Sequence, residues 1–302
     1  MKNMNEPLFG KNVVILKSIL TSLNSLLGQK ETDYRIGKLE RAYNEMTCQK
    51  KILDSYYSIA HEIRTIEMFS EMGDITISLD SNNQPGIDLE YKNILIECVV
   101  STTGKDQNYD MLKKSGYQEY NKIIDYNAKF HQISLRVLSV LASKRDKYYE
   151  DVNKNVISKE KPYCIFINLG SLAQEWFPGK LCNEATRFLV GRGHPMITID
   201  KTTGKQVGGI TYGHIPYIKN NNSADVICNF FGDVKNCVIS AVIVTTAELN
   251  DRYSKDNVVI FTNPLANNKI MLKDFKNIPY WKVNDNQEYV PRISGRRLKV
   301  EW

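Results

Sequence analysis

The chain has 302 residues, enough to bury a sizeable core as one large domain or as a domain with a helical cap. An apolar fraction of 42% and a charged fraction of 25% are ordinary for a soluble globular protein, and a net charge of +6 permits an anionic partner without demanding one. The six cysteines, Cys48, Cys98, Cys164, Cys182, Cys228 and Cys237, form no CxxC pair, which argues against a zinc site or a disulfide frame and for free thiols in a reducing, cytoplasmic setting.

Near the N-terminus Ile15, Ile19, Leu23 and Leu26 recur at helical spacing, so an amphipathic helix is predicted over 11–27, ended by Gly28. Lys17, Ser18, Ser22, Asn24 and Ser25 interrupt the apolar run from Val13 to Leu27. It is too short and polar to span a bilayer and has no clear signal-peptide cleavage site, so no membrane partner is expected. A second helix begins near Thr32-Asp33, either of which can cap it. Residues 1–50 are therefore read as an N-terminal helical extension, a cap or a dimerisation arm, which leaves a homodimer open. Residues 51–302 are the main domain.

A long helix over 51–72 turns Ala60, Ile63, Ile66, Phe69 and Met72 inward, and Gly73 stops it. Glu62 borders that apolar face, and a solvated helix glutamate is the plainer reading of it. His61-Glu62 is not a zinc-protease helix, because Thr65 stands where the second histidine belongs. Asp74 to Asp80 alternates Ile75, Ile77 and Leu79 with polar residues and predicts the first core strand.

The stretch from Gln84 to Val100 reads as two short strands joined by a tight turn. The second, Ile94 to Val100, is apolar except for Glu97, a pattern that suits a strand buried on both faces. A carboxylate inside such a run is costly unless it binds a metal or finds a partner. If the strands pair as a hairpin, Asp88 and Glu97 converge, giving a hard-oxygen site suited to Mg²⁺ or Mn²⁺.

Ser101 to Asn127 is polar, with Lys105, Lys113, Lys114 and Lys122 interleaved with tyrosines. That mixture suits phosphate contact and base stacking, as it equally suits a solvated insertion. In the next helix, over 132–152, Ile133, Val137, Leu141 and Tyr148 form the core line, and Lys144 occupies the gap in it. A lysine on a buried side needs a partner, or it snorkels outward with its stem buried. Arg136, beside the same line, could hold a phosphate or an acid. Tyr163 to Leu169 is a further buried strand. Later strands are expected over 196–200, 208–212, 237–245 and 258–262, with a basic tail over 292–299. Gly191-Arg192-Gly193 lacks the further glycine of a dinucleotide loop.

The hairpin resembles the core of the restriction-endonuclease-like superfamily, the PD-(D/E)xK nucleases. There an acid on one strand precedes an acidic-x-Lys triplet on the next. Asp88 and Glu97 match the two acids. Pro85 is separated from Asp88 by Gly86 and Ile87, and Val99 stands in the lysine position. The predicted order of helix, three strands, helix and strand over about 55–170 is also similar to that superfamily. The resemblance implies an α/β fold, a central mixed sheet flanked by helices. It implies that Glu62 is the first-helix acid facing a metal site and that Lys144 is a lysine migrated from strand to helix. Activity would then be metal-dependent phosphodiester hydrolysis of nucleic acid, with DNA the expected substrate, and with Asp88 and Glu97 holding Mg²⁺ or Mn²⁺. Backbone phosphates would meet Arg136, Lys105, Lys113 and Lys114. The alternative is an inactive nuclease fold that binds nucleic acid or protein, with Val99 the trace of the lost chemistry. A third is an interaction protein whose acids merely pair with Lys144 and Arg136.

Overall fold

The computed structural model describes residues 6–48, 53–78, 86–101, 126–173, 179–215, 217–219, 224–248, 251–275, 278–283, 289–293 and 296–297. Three helices open the chain: α1 (Glu6–Ser22), α2 (Asn24–Leu27) and α3 (Gln29–Cys48). The sequence places one helix over 11–27, but the chain breaks at Leu23. At Gly28 φ is +79°, a conformation glycine adopts without steric cost. α3 starts at Gln29, earlier than the Thr32-Asp33 cap predicts.

α4 (Leu53–Met72) serves two cores. Its first half, with Tyr56, Ile59, Ala60 and Ile63, packs against Val13, Leu16, Ile19, Leu20 and Leu39 of the N-terminal helices. Its second half turns Ile66, Met68 and Phe69 onto the sheet. The boundary read near residue 50 lies outside the described residues.

Among the described residues nine strands form one mixed sheet in the order β1-β2-β3-β4-β9-β10-β11-β12-β13. They are β1 (Ile75–Ile77), β2 (Leu89–Tyr91), β3 (Ile94–Val100), β4 (Tyr163–Asn168), β9 (Ile239–Thr245), β10 (Val258–Thr262), β11 (Tyr280–Val283), β12 (Tyr289–Ile293) and β13 (Arg296–Arg297). The strands β3, β4 and β9 run parallel at the centre. Every residue of β4 and β9 is buried, as suits strands that are apolar but for Asn168, Ser240 and Thr245. Cys164, Phe166, Ala241 and Ile243 face α4. Ile165, Ile167, Val242 and Val244 face α5 (Tyr126–Asn153) and α7 (Gly179–Val190), α6 being the short turn Gly170–Ala173.

β1 is shorter than the predicted 74–80; Ser78 lies past its end, and Leu79 and Asp80 fall outside the described residues. Among the described residues β5 (Arg192–Ile199) and β6 (Gln206–His214) pair only with each other, as do β7 (Tyr217–Lys219) and β8 (Asp225–Ile227). Part of the predicted basic tail, Arg292-Ile293 and Arg296-Arg297, belongs to paired strands. Among the described residues no helix is long and apolar enough to cross a membrane.

Candidate active site

The β2–β3 hairpin turns at Lys92-Asn93, with φ of +46° and +68°. Positive φ at both central residues is the two-residue turn whose twist matches its strands. That turn fixes the register: Leu89 pairs with Ile96, and Tyr91 with Ile94. One step further out Asp88 stands across from Glu97, so alternation gives the two carboxyl groups a common face.

Glu97 is 1% exposed. Its Oε1 accepts from Lys144 Nζ at 2.5 Å and from Lys147 Nζ at 2.7 Å. Both lysines come from α5, three residues apart and therefore on one side of the helix. Lys147 Nζ also donates to the Gly86 carbonyl at 3.1 Å, which ties α5 to the segment entering Asp88. Burial opposes the Lys147 charge, yet the Glu97 carboxylate and Asp88 beyond it hold its pKa above the usual ammonium value. The helix is anchored here in turn, because the Tyr163 hydroxyl of β4 donates to the Lys144 carbonyl at 3.3 Å.

Asp88 Oδ2 accepts from the Cys98 main-chain N–H at 2.5 Å. Burial pushes the Asp88 pKa well above the ordinary aspartate value; the charges of Glu97 and Glu62 push it further, against the pull of the Cys98 amide and Lys144. Like charges held together out of water cannot all ionise cheaply, which is a recurrent mark of functional sites. Glu62 is engaged by Arg35 Nη1 of α3. It thus lies within electrostatic reach of Asp88 while its carboxylate is held by the helical layer.

Next to these acids sits a buried polar chain. His61 Nε2 lies 2.9 Å from the Phe166 carbonyl, so that nitrogen carries the proton. Nδ1 then accepts from the Tyr253 hydroxyl at 2.8 Å, and that hydroxyl accepts from Asn168 Nδ2 at 2.6 Å. Burial lowers the His61 pKa to about 4. This histidine is a satisfied structural group.

The site thus brings together Asp88, Glu97 and Lys144, with Glu62 at its border. Arg136 lies half-buried on α5, two turns before Lys144. Lys105, Lys113 and Lys114 lie outside the described residues. Lys147 escaped the sequence reading, although its spacing of three from Lys144 was available. Arg35 and the Cys98 amide had no such local sign.

Two carboxylates across a hairpin are a donor set that a hard divalent cation fits. Among the described residues no group of three or more His, Cys, Asp or Glu side chains is arranged to hold a metal ion. Mg²⁺, however, is commonly held by one or two carboxylates and keeps several of its waters. A cation would also offset the burial and the acid–acid repulsion that raise the Asp88 pKa. The fold and site define an α/β protein with a mixed sheet flanked by helices and a buried acid–lysine cluster at one hairpin. Comparison of the chain with known protein families, curated proteins and solved structures returns no match.

Proposed function

We propose that this chain is a metal-dependent nuclease that hydrolyses phosphodiester bonds in nucleic acid, with DNA the expected substrate, on a restriction-endonuclease-like core with a variant PD-(D/E)xK site. The observation that carries the reading is the meeting of Asp88 and Glu97 across one hairpin with Lys144 donating to Glu97 from α5. The element order α4, β1, β2, β3, α5, β4 supports it as well.

Asp88 and Glu97 would hold Mg²⁺ or Mn²⁺, which when bound would lower the pKa of a water and offset charge on the scissile phosphate. Glu97 orients the Lys144 ammonium, and Lys144 in turn orients the attacking water and stabilises charge growing on the phosphoryl oxygens. Lys147 holds Glu97 and the Gly86 segment in register, so that Asp88 meets the same point. Glu62, held by Arg35, acts through its field rather than as a direct ligand. Arg136 and the Lys105, Lys113 and Lys114 insertion would contact backbone phosphates.

The test is cleavage of plasmid and oligonucleotide substrates with Mg²⁺ or Mn²⁺, which Asp88→Ala or Glu97→Ala should abolish. Failure of the purified protein to cut DNA or RNA with either ion overturns the enzyme reading. One observation favours a second reading, a binding module on the same fold: Lys144 and Lys147 already satisfy Glu97 without a cation. Calorimetry showing no divalent-ion site at Asp88 and Glu97 would select it.

A further inference from the structure

Arg35 is 2% exposed, in the middle of the N-terminal helical layer. Its Nε donates to Glu31 Oε1 at 2.7 Å and its Nη1 to the Glu62 carboxylate. Its Nη2 donates to the Ser78 carbonyl at 3.0 Å. Ser78 sits just past β1 and grips the strand that carries the site. Its N–H donates to the Asp88 carbonyl at 3.2 Å, and its hydroxyl donates to the Ile87 carbonyl. A continuous path of hydrogen bonds therefore runs from α3 to the main chain on either side of the Ile87–Asp88 peptide bond.

Packing alone does not call for this arginine. Leu16, Leu20, Leu39 and Ile63 already fix the helical layer to α4. Burying a guanidinium with two carboxylates is weak evidence of stabilisation, because desolvation offsets most of the attraction. What the planar fork supplies is direction: several donors in fixed geometry, reaching three partners on three elements at once.

We propose that Arg35 is a positioning residue through which the N-terminal helical layer sets the main chain carrying Asp88, so that a cation at Asp88 and Glu97 is felt in α3. This rests on the cation-site reading of those two acids. The helical layer is then a working part of the site rather than a detachable cap.

The test is hydrogen exchange of the full chain with and without Mn²⁺, in wild type, Arg35→Met and Arg35→Lys. With Mn²⁺ at about ten times its dissociation constant, amides whose exchange needs the site to open should slow on the order of tenfold. In wild type the slowing should appear in β3 and in α3 around Arg35. In Arg35→Met it should persist in β3 and vanish from α3. Arg35→Lys keeps a buried cation but cannot span Glu31, Glu62 and Ser78 together, and it covers the case in which Arg35→Met does not fold; the same loss is expected. Slowing in β3 without α3 in wild type, or an α3 response unchanged in Arg35→Lys, overturns the inference alone. No slowing in β3 removes the cation site itself, and this inference with it.

Discussion

Replacing Asp88 by Asn is expected to stabilise the metal-free fold, and increasingly so as pH rises. Folded Asp88 titrates well above 3.8, the value of an ordinary aspartate, first because it is buried and second because Glu97 and Glu62 are close. Between those two pH values the native chain keeps a proton that the unfolded chain has lost. Stability therefore falls as pH climbs through that interval, by about 1.4 kcal/mol per pH unit for one retained proton. Asparagine has no proton to lose, and its side-chain oxygen can still accept from the Cys98 N–H. The difference between the two stability curves therefore reports Asp88 together with the acids coupled to it, Glu97 and Glu62. The assay is urea denaturation of both, with chelator present, from about pH 4 to about pH 8. The variant should gain on wild type with that slope until the folded pKa is passed, and the difference should then level off. A flat difference curve, or a variant uniformly weaker than wild type, would refute the claim that the site is built at a cost in stability.

Glu97→Gln is expected to destabilise the metal-free protein by about 2 kcal/mol by urea denaturation. That is less than a fully buried pair would lose, because Lys144 and Lys147 are 23% and 39% exposed and can turn to solvent. Lys144→Met should cost about 1 kcal/mol, since Lys147 still holds Glu97, and the double variant should lose less than the sum. In cleavage assays Lys144→Met should slow the reaction roughly 10²–10³-fold at nearly unchanged metal affinity; an unaltered rate would remove Lys144 from the chemistry. His61, with its pKa lowered to about 4 by burial, contributes stability that is complete above its usual 6.5 and lost as pH falls from there toward 4. The full loss is roughly 3 kcal/mol. Nitrogen chemical shifts should show a neutral ring protonated at Nε2 down to about pH 5, and a charged imidazole at pH 6 would contradict the assignment.

Much of the sheet was legible because its central strands are buried on both faces. Ile94 to Val100 and Tyr163 to Asn168 are nearly continuous apolar runs, and Glu97 is conspicuous as the one charge in the first of them. Lys144 was legible as a gap in an apolar helical line. Lys147 was not read, because Tyr148 beside it filled the next core position and drew the pattern past it. Arg35 sits at i,i+4 from Glu31 in a strongly charged helix. Locally that is the pattern of a solvated face, and only the fold brings Glu62 and Ser78 against it. The same is true of His61, whose partners Phe166 and Tyr253 lie 105 and 192 residues away. The strands β5 and β6 were expected, yet periodicity names a strand without naming its sheet, and these two pair apart from the main one. The amide that holds Asp88 is main chain, which has no signature in a sequence.

The most direct measurement is an anomalous difference map from crystals grown with Mn²⁺. A site built for phosphodiester hydrolysis should give a peak within bonding distance of both Asp88 and Glu97, with the Lys144 ammonium beside it. A map with no peak at that hairpin, or with Mn²⁺ bound only elsewhere while Lys144 and Lys147 stay closed on Glu97, would contradict the metal-dependent nuclease.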